Sequence, residues 1–100
     1  MTDEDEEEAA ANDVFELPIG PELDLHAFAP RDVASVVEEY LTACRARGVL
    51  RVRVIHGRGR GVQRALVRRA ALRLPFVLAA EDAEPAHGGW GATFVTLAPA

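Results

Sequence analysis

A chain of 100 residues has room for one domain, and 49% apolar with 27% charged residues describes a globular core rather than a disordered polymer, which excludes a two-domain enzyme. No run approaches the roughly 18 consecutive apolar residues of a membrane span, and the acidic N-terminus is the opposite of a secretory signal, so no membrane partner and a cytoplasmic location are predicted. The single cysteine, Cys44, rules out an internal disulfide or a thiolate metal cage, and the net charge of −5 hides a strong asymmetry along the chain.

Residues 1–16 hold eight of the sixteen acids and no base, and read as a disordered acidic tail whose like charges repel. The tail is either an inert solubility segment or a competitor for the basic part of the chain. Residues 17–100 form the folded domain, with eleven arginines against eight acids. Ten of those arginines fall between Arg45 and Arg73, a span without a single acid. A belt of that purity points to phosphate; the alternative is a solvated, arginine-rich helix face.

Leu17-Pro18-Ile19-Gly20-Pro21 is an extended entry, since its prolines disfavour helix. Leu23-Asp24-Leu25-His26 alternates with period two and predicts a short strand, with both leucines facing the core and Asp24 and His26 sharing the other face. After Pro30, residues Val33, Val36, Val37, Tyr40, Leu41 and Cys44 mark the apolar stripe of a helix ending at Gly48. Arg51-Val52-Arg53-Val54-Ile55 is a second strand running into His56-Gly57-Arg58-Gly59-Arg60-Gly61. A second helix follows over 62–74, with Val62, Leu66 and Ala70 on its apolar stripe, Arg64 and Arg68 on its polar side, and Pro75 as its stop. Residues 76–80 form a third strand, 81–91 a polar, glycine-rich loop, and Ala92 to Leu97 a fourth strand.

The order β-α-β-α-β-β predicts a two-layer α/β sandwich in which right-handed crossovers join parallel neighbouring strands and both helices cover one face of the sheet. Ligands of such sheets collect beyond the carboxyl ends of the parallel strands, where the His26 and His56 segments fall. Asp24 and His26 form an acid/base pair, a seat for a divalent metal ion with water, or a structural histidine with its carboxylate turned to loop amides. Between strand and helix, the glycines of 56–61 either cradle a phosphate beneath Arg58 and Arg60 or simply allow a tight turn. The Walker lysine and the G-x-G-x-x-G spacing are missing, so neither nucleotide hydrolysis nor dinucleotide binding is supported. Alternation pairs His56 with Val52 and Val54, which leaves open whether it faces the core or the rim. Trp90, set between glycines, can stack on an unpaired base or cover the sheet edge, and Cys44 reads as core.

Taken together, Leu23-Asp24-Leu25-His26, His56-Gly57-Arg58-Gly59-Arg60-Gly61 and Gly88-Gly89-Trp90-Gly91-Ala92-Thr93 resemble the L-D-x-H, H-G-x-G-x-G and G-G-x-G-A-T motifs of the small MutS-related (Smr) domain, in the same order across residues 23–97. That resemblance implies a mixed four-stranded sheet with an antiparallel last strand, like the C-terminal domain of translation initiation factor three. It also implies nucleic-acid binding and, in many members, nicking or endonucleolytic cleavage of DNA or RNA. On this sequence the motif residues are Asp24, His26 and His56 for catalysis and Gly57, Gly59 and Gly61 for the loop. Arg58, Arg60, Arg64, Arg68, Gly89, Trp90 and Gly91 complete the binding surface. His26 would act as general base and His56 would protonate the leaving oxygen, either without a metal or with a divalent ion such as Mg or Mn at Asp24. Family members commonly carry glycine after the first histidine; Ala27 stands there, and its Cβ bears on cleavage more than on binding. No ATPase or mismatch-recognition region accompanies the domain, which fits a stand-alone form. The competing expectation is a non-catalytic module that binds nucleic acid or the ribosome through the same arginines.

Overall fold

The computed structural model describes residues 19–57, 59, 61–87 and 89–100, with Trp90 described through its backbone. The acidic tail, Arg58, Arg60 and Gly88 lie outside the described residues. Strands β1 (Glu22–Asp24), β2 (Arg51–Ile55), β3 (Val77–Asp82) and β4 (Ala92–Leu97) form one sheet, joined by helices α1 (Val33–Ala46) and α2 (Val62–Leu72).

Every residue of the stripe predicted for α1 is buried, with Val33, Val37, Leu41 and Cys44 fully so. They meet the inward positions of the sheet, Leu23, Val52, Val54, Val95 and Leu97, in one continuous core. Burial pushes the Cys44 thiol up to about 11, so it stays protonated as a packing group. Tyr40 ties α1 to the entry of β1, donating from its hydroxyl to the Glu22 carbonyl (2.8 Å) and accepting from the Gly20 amide (3.0 Å). On α2 the buried residues are Val67, Ala70 and Ala71, while Val62 is 61% exposed. The stripe is therefore turned from the predicted one, because α2 also swings Arg64 and Arg68 towards the edge of β3. Helix α2 ends at Leu72, one turn of irregular chain before Pro75.

The sheet order is β1-β2-β4-β3. Strands β1 and β2 pair in parallel, as the first crossover requires, but β4 lies antiparallel between β2 and β3, so the second crossover does not join neighbours. Composition explains the insertion. Strand β4 carries Thr93, Val95 and Leu97 on its buried face and suits the middle, whereas β3 is half-exposed and ends in Glu81-Asp82, charges suited to an edge. Those two acids belong to the strand, so the predicted loop is shorter than 81–91 and contains two short 3-10 turns, Pro85–His87 and Gly89–Gly91.

Strand β1 likewise stops at Asp24, short of His26. The Asp24 carboxylate accepts the His26 amide (2.9 Å) and the Phe28 amide reaches back to the Leu25 carbonyl (3.0 Å), bending Leu25–Ala27 into a 3-10 turn. Leu25 stays buried at 2% exposure, and Asp24 and His26 both remain outside, as the alternation predicted. Among the described residues no helix is long and apolar enough to cross a membrane.

Candidate active site

The three motifs meet at the carboxyl ends of β1 and β2. Asp24 Oδ1 lies 2.6 Å from His26 Nδ1, in addition to accepting the His26 amide. Those two bonds, the amide first, hold the Asp24 carboxyl below its ordinary value, so it is an anion at neutral pH. An anionic acceptor places the imidazole proton on Nδ1 and leaves the Nε2 lone pair uncommitted to Asp24. The His26 ring is 66% exposed, and its Nε2 sits over Gly57, 3.4 Å from where a Cβ on that residue would be.

Gly57, Gly59 and Gly61 all adopt left-handed backbone, with φ of 82°, 38° and 84°, which explains why glycine recurs at alternate positions of this turn. Gly61 caps α2 without a side-chain hydrogen bond, so the first amides of the helix face the loop with their partial positive charge. Gly57→Ala combines a left-handed backbone with a Cβ against His26. It is expected to cost about 1–2 kcal/mol of stability, read as a lower midpoint in urea unfolding.

The third motif is bolted to the second. The amides of His56 and Gly57 both donate to the Gly91 carbonyl, at 3.1 and 2.8 Å. Thr93 of that motif is fully buried, and its hydroxyl lies 2.9 Å from His56 Nε2. On the other side of the ring His56 Nδ1 lies 2.8 Å from the Gly57 carbonyl, which can only accept, so Nδ1 carries the proton and Nε2 accepts from Thr93. His56 is therefore a neutral imidazole, 7% exposed, with both nitrogens engaged. Burial, reinforced by the nearby Arg64 and Arg68, lowers its pKa. The structure brings His26 to the surface and turns His56 to the core face that its alternation with Val52 and Val54 allowed.

The arginine belt is dispersed by the fold. Arg45 donates to the Ala98 and Pro99 carbonyls and lies over Phe76, pinning the C-terminus. Arg51 and Arg53 point outward from β2 on the sheet face opposite the helices. Arg64 grips Asp82 with two hydrogen bonds (2.8 and 2.9 Å), and Arg68 reaches the same carboxylate. Asp82, hidden in sequence within an apparent loop, thus supplies the acid that the belt lacked. Arg64, then Arg68, holds its carboxyl below the ordinary range.

Thr93 and Asp82 are the site-shaping residues that the sequence reading left without a role. Thr93 carried a usable signal: a polar residue on the inward alternation of β4 must find a partner, and His56 stood on the matching face of β2. Ala27 has ordinary negative φ and an exposed side chain, so its position does not need the conformations reserved for glycine. Among the described residues no three His, Cys, Asp or Glu side chains are arranged to hold a metal ion. One oxygen of Asp24 is committed to His26, so among the described residues no set of side chains forms a closed cage for a resident divalent ion.

Comparison with known proteins agrees with these motifs. The family model described as the Smr domain matches residues 23–98. The endonuclease MutS2 of Thermus thermophilus is 36% identical over 78 residues, and that of Pelotomaculum thermopropionicum 38% identical over 80 residues. These matches span 78% and 80% of this chain but only 10% of each MutS2 protein. The crystal structure of the Thermus thermophilus MutS2 Smr domain superposes with a TM-score of 0.73 over 78% of this chain and 98% of that one, at 36% identity. YdaL, a stand-alone small MutS-related protein from Escherichia coli, gives the same TM-score of 0.73 at 30% identity, covering 81% of this chain and 66% of its own. The motifs, the mixed sheet and these neighbours agree, and the chain belongs to the Smr domain family.

Proposed function

We propose that this domain binds nucleic acid at the rim formed by its three motifs and cleaves a phosphodiester there, with His26 as general base. The observation that carries this reading is the Asp24-His26 pair, which holds the imidazole in the tautomer whose Nε2 can take a proton and aims that atom at the glycine turn. The turn and the uncapped start of α2 offer backbone amides to a phosphate, in a segment whose sequence also carries Arg58 and Arg60. Nε2 would take the proton of an attacking water or RNA 2′-hydroxyl as the new P–O bond forms. The leaving oxygen would depart with the old bond and draw its proton from solvent. His56 acts in this scheme as a positioning residue that locks the turn to β4, rather than as the acid. The family relationship to proteins named endonuclease MutS2 supports the reaction class.

Single-turnover cleavage of end-labelled structured RNA and of supercoiled plasmid, with and without a chelator, tests this reading against a His26→Ala variant. A 2′,3′-cyclic phosphate end would assign the 2′-hydroxyl as nucleophile, and nicked plasmid would assign water. The second reading is a non-catalytic nucleic-acid- or ribosome-binding module, and what favours it is the burial of His56, which leaves a single motif histidine at the surface. It requires intact binding without cleavage of either substrate.

The Asp82 carboxylate competes with phosphate for Arg64 and Arg68, so Asp82→Asn is expected to raise polyanion affinity several-fold and to steepen its salt dependence. Glu39→Gln changes the net charge equally but sits exposed on α1, outside the arginine cluster, and controls for bulk charge. Equal gains from both variants, measured by fluorescence anisotropy against a short duplex across a salt series, would remove Arg64 and Arg68 from the interface.

A further inference from the structure

Helices α1 and α2 cover one face of the sheet; the other carries no α-helix among the described residues and is touched by the 3-10 turn Pro85–His87, with Ala92 buried at its end. The register places Glu22, Arg53, Phe94 and Glu81 in one row across the open face, with Arg51 and Thr96 in the row on one side and Asp24, Ile55 and Ala92 in the row on the other. Phe94 therefore stands near the middle of the sheet as a half-buried residue. The Arg51 guanidinium carbon, on an exposed side chain, sits over that ring, 4.0 Å from its centroid. A planar group thus occupies the seat that a nucleobase would take. Arg53 is held beside it by Glu22 (3.3 Å) and by the His87 carbonyl (3.0 Å), and the His87 ring meets the edge of Phe94.

We propose that this open face is a stacking platform for an unpaired nucleic-acid strand, with one base on Phe94, Arg51 on its phosphate, and the strand crossing β2 to Asp24 and His26. The proposal deepens the nuclease reading by naming single-stranded nucleic acid, rather than duplex, as the substrate class. Strand spacing supports the path: Asp24 lies two strands and two residues from Phe94, about 12 Å, within the span of a few nucleotides. An aromatic ring on a sheet face, once the exposed Arg51 side chain swings aside to a phosphate, accepts any base face, whereas paired bases in a duplex present none. Charge agrees in the centre of the face, where Arg51 and Arg53 flank the ring. Among the described residues the face also carries three acids, Glu22 in its pair with Arg53, Asp24 in its pair with His26, and Glu81 on the edge strand.

The test uses the full chain and two probes, a fluorescein-labelled single-stranded oligo(U) and a blunt RNA duplex of equal length, with affinity read by anisotropy. Phe94→Leu is expected to weaken single-strand binding about 5- to 100-fold and leave duplex binding unchanged, while Phe94→Trp restores or strengthens it. A 4-thiouridine oligomer, photo-crosslinked to the wild-type protein, should attach to peptides from β2 and β4, which keeps the proposal testable if Phe94→Leu fails to fold. Affinities indifferent to Phe94, or crosslinks confined to α2 and the glycine turn, would overturn it. A concentration-dependent dimer lost in Phe94→Leu would overturn it too and assign the face to a second copy. Binding is read without turnover, so the two readings fail separately: cleavage that depends on His26 but not Phe94 sinks only the platform. Phe94-dependent binding without cleavage sinks only the nuclease.

Discussion

His26→Ala is expected to lower the single-turnover cleavage rate by about 10²- to 10⁴-fold, the usual contribution of a positioned general base, with nucleic-acid affinity little altered. The side chain is 66% exposed and among the described residues it is hydrogen-bonded to Asp24, so its loss orphans no buried group there and the fold should be unaffected. Asp24→Asn should cause a smaller loss. The amide can still receive a hydrogen bond from the ring, but it no longer supplies the charge that stabilises the imidazolium formed when Nε2 takes a proton. Because the Asp24 carboxyl is held below its ordinary value of 3.8, it stays ionised through any assay near neutrality, and the pH profile in that range reports on other groups. Cleavage that persists in His26→Ala at the wild-type rate would refute the assignment outright.

His56→Ala should have the opposite profile, a large loss of stability with effects on activity that follow from it. The substitution opens a cavity beneath the glycine turn and strands the fully buried Thr93 hydroxyl. The expected cost is about 2–3 kcal/mol. For a domain of this size, about 4–8 °C of melting temperature is lost per kcal/mol, so thermal unfolding should move down by roughly 8–24 °C. The same residue gives the fold a pH dependence with a definite sign. Its folded pKa lies below the ordinary 6.5, so in mildly acid solution the unfolded chain binds a proton that the folded chain resists. Its contribution is complete above about pH 6.5 and is lost as pH falls from there through the lowered folded value. Asp24 and Asp82, whose carboxyls are also lowered, act in the same direction but only as pH falls through their own range from 3.8 downward, so the windows separate. A urea-midpoint series between pH 7.5 and 4.5 should show a decline in the wild type that is missing in His56→Ala.

Much of the architecture is legible in the residues because it rests on local periodicity. Leu23 and Leu25, the six-residue stripe of α1, and Val52 with Val54 alternate as their elements demand, and all are buried. The glycines at 57, 59 and 61 are equally legible, since a turn that needs three left-handed residues tolerates little else. The pairing of Asp24 with His26 follows from their two-residue spacing on one face, and the turn that ends β1 preserves it.

Contacts between distant segments were not legible, because no local pattern encodes them. Which strand fills the centre of the sheet depends on the competition between β3 and β4 for a buried position, settled by the charges at the end of β3. The role of His56 depended on a hydroxyl 37 residues away, which converts a histidine at a motif position into a neutral, buried brace. The arginine belt was a fact of sequence, yet its surface was decided by tertiary structure. Alternation sends Arg51 and Arg53 to the open sheet face, helical spacing sends Arg64 and Arg68 to the β3 edge, and Asp82 meets them there through space. Sequence alone determined the order of the elements, the core positions of β1, α1 and β2 and the chemistry available, since those depend on neighbours along the chain. Only the tertiary structure decided which of these groups keep a face to solvent, since burial and charge pairing are properties of what packs alongside.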